Sequence, residues 1–418
     1  MRNPPWLLLF ALATSSGQPC PDAPRPAPFA MRGVPRYLEP VFSKIAIQRD
    51  VVYRETVNDQ GKKEALTLDI YEPEGDTAKV RPAFVNIHGG SLRWMDKDNA
   101  RSVQLSRDLA RRGYVVLNIN YRLRTDESRS LLRTLVEAIQ DVAAAVEWAR
   151  KNRESMRIHP DYIAIGGESA GGQITSNYMT LDNLAEAPRG RQGIFASVVL
   201  YGPPAHPAIP EIKPVLDGCN PPTVVLHGTD DLTIASGMKY ANQLHELGVF
   251  TRLQMVEDGN HGLTGKEDEF MPVIATFLYD VLTTGGKPQS SYRYEAETYS
   301  RKLSSEFSKA VAGFTGTGAL RLGGGQGYVE WGHVDVPAAG EYRLSLRYLN
   351  QADAARPYDL RVNGAVVGRV AFAPSAPGAA WSAESVKVSL KAGRNAIRLT
   401  ATSAGAGPLL DRMDVDPN

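Results

Sequence analysis

Two hydrophobic patterns divide this chain near residue 285. From Ile47 to about residue 282, short apolar runs alternate with segments whose apolar residues recur every three or four positions. Residues 48–53 and 66–71 read as two strands joined by the turn-forming Asn58-Asp59-Gln60-Gly61, an antiparallel hairpin. The run 82–87 is almost wholly apolar, as expected of a strand buried on both faces. Residues 100–112, with Val103, Leu105 and Leu109 ahead of a stop at Gly113, predict a helix with a glycine C-cap. A buried strand over 114–120 and an amphipathic helix over 131–151 follow. Further strands are predicted into Ser169 and over 196–201, 223–227 and 251–256, with helices over 173–181, 234–247 and 269–281. Such alternation predicts an α/β domain over 47–284, with a mostly parallel sheet and helices on both faces.

Thr283 to Ser291 is rich in Gly, Ser and Thr, and 285–291 reads as a linker. Beyond it the period changes to two. Residues 327–336, 340–349, 358–363, 385–390 and 396–401 are short alternating runs between Gly, Pro and Asn turns, which predicts an all-β sandwich of jelly-roll kind over 292–418. At the other end, Arg2, the apolar run 6–13 and the small residues Thr14, Ser15 and Ser16 read as a signal peptide over 1–19, so the mature chain is expected to be exported. Prolines at 21, 24, 26, 28, 35 and 40 make 20–46 a leader or linker in this reading.

Composition narrows the choice. A chain of 418 residues is too long for one ordinary core, which agrees with two domains. A net charge of +1 offers nothing to nucleic acid or an anionic membrane. No later stretch is long and apolar enough to span a bilayer. Cys20 and Cys219 are the only cysteines, which excludes a disulfide framework; one bridge is open to them, but they are read as an unpaired tail thiol and a partly buried one.

The chemistry centres on Gly167-Glu168-Ser169-Ala170-Gly171, a G-x-S-x-G sequence between an apolar β-branched run and a helical segment. A serine on such a strand-to-helix turn is held clear of the sheet with its hydroxyl exposed. Acyl transfer at neutral pH also needs a base, a group to orient that base, and donors for an oxyanion. His261 follows the last predicted strand of the α/β domain and is the expected base. Asp230 and Asp231, directly after the strand ending at His227, are the candidate carboxylates, and chain order Ser, Asp, His suits an α/β-hydrolase sheet. Backbone N–H groups of Gly89, Gly90 and Ala170 are the expected oxyanion donors. His88 and His227 are read as loop-fixing rather than basic, and the sequence gives no role to His159, His206, His245 or His333.

With these pieces in place, residues 47–282 resemble the α/β-hydrolase superfamily, nearest the esterases and lipases related to hormone-sensitive lipase and to acetyl-xylan or feruloyl esterases. The resemblance is carried by Leu68-Asp69-Ile70-Tyr71, His88-Gly89-Gly90-Ser91, Asn120-Tyr121-Arg122-Leu123, Gln140-Asp141, the pentapeptide around Ser169, and His227-Gly228 with Asp231. It implies Asp231 rather than Asp230 as the acid, and a secreted serine carboxylesterase acting on acylated polysaccharide with no catalytic cofactor. Ser91 stands where the lipase pattern often has a third glycine, and Asn260 where Gly-His-Gly is usual. A prolyl oligopeptidase-like peptidase shares the acid and base but normally lacks His-Gly-Gly. A non-catalytic adhesion protein on a hydrolase scaffold usually loses the serine or the base, and this chain keeps both.

Residues 292–417 resemble β-sandwich carbohydrate-binding modules of families 6 and 35. The carrying residues include Tyr294-Glu295-Ala296-Glu297, Gly327-Tyr328-Val329-Glu330-Trp331, Trp381 and Leu410-Asp411-Arg412-Met413. The resemblance implies a sugar ring stacked on Tyr328 and Trp381, with Trp331 in the core. Glu295 and Glu297 stand two apart on a predicted strand and so project from one face, unfavourably unless a cation lies between them. The resembling modules hold a structural calcium there, which implies Glu295, Glu297 and Asp411 as its ligands; the bland alternative pairs these acids with Arg412 or solvent.

Overall fold

The opening hairpin forms as β1 (Ile45–Val57) paired antiparallel with β2 (Lys63–Pro73). The computed structural model that shows it describes residues 25–31, 33–128, 130–180, 190–202, 204, 216–256, 259–286, 292–296, 299–315, 318–336, 338–376 and 381–418. Next come β3 (Arg81–Ile87), α1 (Ala100–Arg112), β4 (Val115–Ile119), α2 (Leu131–Lys151), β5 (Ile158–Glu168), α3 (Ala170–Tyr178), β6 (Ile194–Leu200), β7 (Thr223–Gly228), α4 (Ile234–Glu246), β8 (Thr251–Val256) and α5 (Glu267–Thr284). The eight strands form one sheet in the order β1-β2-β4-β3-β5-β6-β7-β8. β2 meets β4 antiparallel, and every pairing from β4 to β8 is parallel.

Period-two alternation splits each inner strand between two cores. Ala83, Val85 and Ile87 pack with α2 and α3, whereas Phe84 joins Leu105 and Leu109 of α1 and Phe277 of α5 on the opposite face. The predicted bounds of α1 hold because both ends are capped: the Asn99 side chain accepts from the Ser102 N–H at 3.1 Å, and Gly113 closes the helix at φ 109°. A cap of this kind stabilises by about 1 kcal/mol.

Several residues that carry the hydrolase resemblance are framework. Asp141 is fully buried and meets the Arg122 Nε at 2.9 Å, the Arg122 N–H at 2.9 Å and Arg54 at 3.0 Å. Asp69, also fully buried, pairs with Lys97 at 2.9 Å and Arg49 at 3.0 Å. Charges this deep persist only when paired.

The leader expectation is corrected over its described part, because residues from 25 onward pack onto the α/β domain. Ala27 and Tyr37 are buried; the Ala27 N–H donates to Leu282 O at 2.6 Å, the Tyr37 N–H to Arg112 O at 2.8 Å, and Arg36 pairs with Asp76. Prolines forbid regular structure there, but Phe29 and Tyr37 supply enough aromatic surface to dock, Phe29 meeting Tyr37 and Tyr162 edge-on. The cysteine reading is corrected too: Cys219 is exposed and disulfide-bonded, while Cys20 lies outside the described residues.

The second half is β9 (Tyr292–Glu295), β10 (Arg301–Leu303), β11 (Glu306–Ser308), β12 (Ala319–Arg321), β13 (Tyr328–Val336), β14 (Gly340–Leu349), β15 (Arg356–Val362), β16 (Ala365–Phe372), β17 (Ser382–Leu390), β18 (Gly393–Ala401) and β19 (Leu409–Pro417). One sheet runs β10-β13-β18-β15-β16 and the other β11-β12-β19-β14-β17, with β9 on β19. Trp331, 1% exposed, sits in their shared core with Leu344, Leu360, Ile397 and Met413. β10, β11 and β12 have three residues each, too few to show alternation, and β16 leaves Val366 and Val367 exposed, so the pattern did not predict them.

The sandwich covers β8, the last strand of the parallel sheet. Gln254 Nε2 donates to Tyr299 O at 2.5 Å, Arg394 Nη1 donates to Asn242 Oδ1 at 2.5 Å, and Phe250 packs against both cores. An uncovered edge strand would leave unpaired backbone groups open to association.

Candidate active site

The loops after β3, β5, β7 and β8 meet at the C-terminal edge of the sheet, where β3 and β5 lie side by side and their connections diverge. Such switch points leave a crevice. Ser169 occupies the turn between β5 and α3 at φ 51° and ψ −113°, a strained conformation for a residue with a Cβ. Gly171 makes the turn possible, since a Cβ there would stand 2.1 Å from Ile87 O. The Ser169 N–H donates to Leu200 O at 2.9 Å, which pins the elbow to β6.

Ser169 Oγ lies 2.9 Å from His261 Nε2, and His261 Nδ1 lies 3.1 Å from both oxygens of Asp231. Among the two candidate carboxylates the structure brings Asp231 to the histidine; Asp231 is 2% exposed, whereas Asp230 points into solvent. Burial works against an ionised Asp231, but hydrogen bonds from the Thr233 N–H and hydroxyl and from His261 hold its pKa below the usual carboxylate value. It is therefore an anion at neutral pH. A serine hydroxyl on an imidazole whose other nitrogen donates to a carboxylate can be deprotonated as it attacks a carbonyl carbon.

Gly89 approaches this group, a Cβ there falling 3.5 Å from the Ser169 Cβ. His88 holds the loop: its Nδ1–H donates to Gly89 O at 2.7 Å, its ring stacks on Tyr121 at 4.3 Å, and the Tyr121 hydroxyl donates to His88 O at 3.0 Å. Burial lowers the His88 pKa to about 4. The unfolded value is about 6.5, so as pH falls the unfolded chain takes up this proton first. Stability is lost between those two pH values, by about 3 kcal/mol when the folded pKa is reached. Urea unfolding at pH 7 and 4.5 should show a smaller loss in His88→Gln than in wild type; equal losses would exclude His88 as the cause.

The sequence reading missed the groups that brace the elbow from behind. Glu168 Oε2 accepts from the Tyr201 hydroxyl at 2.8 Å and lies 3.5 Å from Arg101 Nε, and Arg101 pairs with Glu267 at 2.9 Å. The Tyr201 ring meets His261 edge-on at 5.2 Å. The available signal was position: Tyr201 directly follows β6, at the same edge of the sheet.

In the sandwich, strand register puts Tyr328 and Trp381 at one end, since Tyr328 pairs with Thr400 near the close of β18 and Trp381 directly precedes Ser382, paired with Tyr348 near the close of β14. They belong to different sheets. Arg398 covers the Tyr328 ring at 4.3 Å and Arg347 the Trp381 ring at 5.1 Å, and Trp381 Nε1 donates to Ala312 O at 3.2 Å. Of the three carboxylates implied for calcium, Glu297 lies outside the described residues. Glu295 and Asp411 converge on the Thr315 hydroxyl, at 2.6 and 3.0 Å, while Arg347 and Arg412 pair with Asp411. Burial pushes the Glu295 pKa up to about 7. Among the described residues, no three His, Cys, Asp or Glu side chains are placed to hold a metal ion.

Strand order and the sharp turn at Ser169 give the first half an α/β-hydrolase-like fold. Residues 68–192 match the BD-FAE family and residues 292–407 match the family described as carbohydrate binding module (family 35). An exo-beta-D-glucosaminidase of Amycolatopsis orientalis is 41% identical over 104 residues, 24% of this chain and 10% of that protein. Esterase LipC of Mycobacterium tuberculosis is 29% identical over 177 residues, 40% of this chain and 41% of that protein. The chain spans less than half the length of either relative. Among solved structures, esterase 2 of Thermogutta terrifontis is similar at 20% identity and a TM-score of 0.47, over 58% of this chain and 97% of its own.

Proposed function

We propose that this chain is an exported serine carboxylesterase that removes acetyl or feruloyl-type acyl groups from a polysaccharide, held on the polymer by its C-terminal module. The 2.9 Å contact between Ser169 Oγ and His261 Nε2, backed by buried Asp231, carries the reading. Ser169 attacks the ester carbonyl as His261 takes its proton. The N–H groups of Gly89, Gly90 and Ala170 receive the oxyanion, and His261 returns the proton to the departing sugar hydroxyl. Water then attacks the acyl-enzyme by the same route in reverse. The match to BD-FAE over 68–192, in a region that includes His88-Gly89-Gly90, favours an esterase over a prolyl oligopeptidase-like peptidase. Release of acetate from acetylated xylan, or of ferulate from methyl ferulate, by wild type but not Ser169→Ala tests it; no Ser169-dependent release from either, or from 4-nitrophenyl esters, would sink it.

The module's part rests on effective concentration, because holding the enzyme on its polymer raises encounter without changing the transition state. Trp381→Ala and Tyr328→Ala are expected to weaken pull-down on insoluble xylan and leave hydrolysis of soluble 4-nitrophenyl acetate unchanged. Point variants are the right probe, since removing the sandwich would uncover Phe250 and the edge of β8. A calcium ion held by Glu295, Glu297 and Asp411 is part of the same reading: Glu295 and Asp411 meet on the Thr315 hydroxyl, and a cation between them would offset the repulsion of two carboxylates. Calcium should raise the Tm of the EDTA-treated full chain, because a ligand that binds only the folded state stabilises it. No shift, with no calcium by elemental analysis, would remove the site.

A further inference from the structure

Asp231 meets two imidazoles, not one. Its Oδ2 lies 3.2 Å from His227 Nδ1 and 3.1 Å from His261 Nδ1, while Oδ1 accepts from the Thr233 N–H at 2.8 Å and hydroxyl at 2.9 Å. His227 is fully buried at the end of β7. Its other nitrogen, Nε2, is buried without a hydrogen-bond partner and faces α4 at Gly237, where a Cβ would stand 2.1 Å away. Only glycine at 237 lets the helix close over this ring. A purely packing residue would gain from carbon at the Nε2 position, which here loses its water and finds no replacement. A ring kept despite that cost points to the other nitrogen.

We propose that His227 is a positioning residue of the esterase site: a neutral imidazole with its proton on Nδ1 that donates to Asp231 Oδ2 and fixes the carboxylate plane toward His261. This rests on the Ser169–His261–Asp231 reading above. The tautomer follows from the surroundings. Nδ1 faces a carboxylate and so carries hydrogen, whereas a second proton on Nε2 would place a charged N–H against Gly237 with nothing to accept it. Burial holds the His227 pKa down and the neighbouring His261 adds to this, while Asp231 opposes both. With His227 and Thr233 donating to it, the Asp231 carboxylate cannot swing out of line when the His261 imidazolium forms and dissolves.

The test uses the full chain. In ¹⁵N-histidine spectra, His227 should keep hydrogen on Nδ1 and none on Nε2 from about pH 5 to 8, the range in which a free histidine titrates. A proton on Nε2 instead would overturn the proposal. His227→Phe keeps the ring volume without a donor; His227→Asn sets an amide nitrogen near the Nδ1 position, and His227→Gln sets one near Nε2. His227→Phe and His227→Gln should lower kcat by about tenfold to a hundredfold, the scale of a misplaced catalytic group, with KM little changed. They should also move the acid limb of the kcat/KM profile to higher pH, because a carboxylate relieved of one donor holds the His261 proton more tightly. His227→Asn should restore both. Equal defects in the Asn and Phe variants, or none in Phe, would reduce His227 to packing. Should the variants not fold, the tautomer read in wild type decides. A wild type with no Ser169-dependent ester hydrolysis takes this proposal down with the enzyme reading, a failure told apart because the tautomer is read without substrate.

Discussion

Ser169→Ala is expected to lower kcat for 4-nitrophenyl acetate by about 10⁴ to 10⁶, with the far-UV spectrum and Tm held near wild type. The size follows from the role: without Oγ there is no covalent intermediate, and only binding and oxyanion stabilisation remain to speed attack by water. The small structural effect follows from the geometry. Oγ contacts His261, which is half exposed, and not the cores on either face of the sheet. Alanine also inherits the φ of 51° at this position, so the strain is unchanged. His261→Ala should cost nearly as much, and the double variant no more than either single one, because nucleophile and base act as a unit. A double variant slower than both by the product of their losses would show that they act separately.

Asp231→Asn is expected to lower kcat by about 10⁴, the scale at which a lost carboxylate leaves the histidine in the wrong tautomer, and Asp230→Asn to leave kcat within a few-fold. The contrast comes from one residue of loop. Asp231 turns inward, is buried, and accepts from Thr233 and His261; Asp230 uses its backbone N–H on Gly259 O at 3.0 Å and leaves its side chain in solvent. An asparagine at 231 that keeps its oxygen on the Thr233 donors turns its N–H₂ toward His261, which meets it only with Nδ1 bare, the tautomer whose Nε2 carries hydrogen and cannot take the Ser169 proton. Because the carboxylate is an anion well below neutral pH, its loss should be felt across the whole range from about pH 5 to 8. Steady-state kinetics of the two variants over that range distinguish them, and a larger loss in Asp230→Asn would move the acid by one position.

Much of this site was legible because its logic is local. The pentapeptide around Ser169 needs glycine where backbone crowds it, and its place between an apolar run and a helical one can be read without coordinates. Strands β3, β4, β6 and β7 are buried throughout, so their sequences are mostly apolar runs that the pattern finds, and the candidate catalytic groups follow strand ends by one to five residues. Trp331 in the core, His88 as loop-fixing and Asp231 as the partner of the base come from the same kind of local or resemblance-based reading.

What local pattern cannot carry is contact between distant segments. Residues 25–44 look like a linker because prolines remove regular structure, yet their aromatic surface docks through Phe29, Tyr37 and Ala27 on groups as far away as Leu282. Three-residue strands have no period to detect, and the cover over β8 depends on Gln254 meeting Tyr299 across a domain boundary. The brace of Tyr201, Glu168 and Arg101 is assembled from three elements, and the second histidine on Asp231 exists only because α4 offers a glycine where the ring must fit. The sequence alone determined which residues can do the chemistry and at which strand ends they stand. The tertiary structure decided which carboxylate faces the base, what holds that carboxylate in place and what seals the edge of the sheet, because burial and hydrogen-bond partners are properties of the packed chain and of no segment within it.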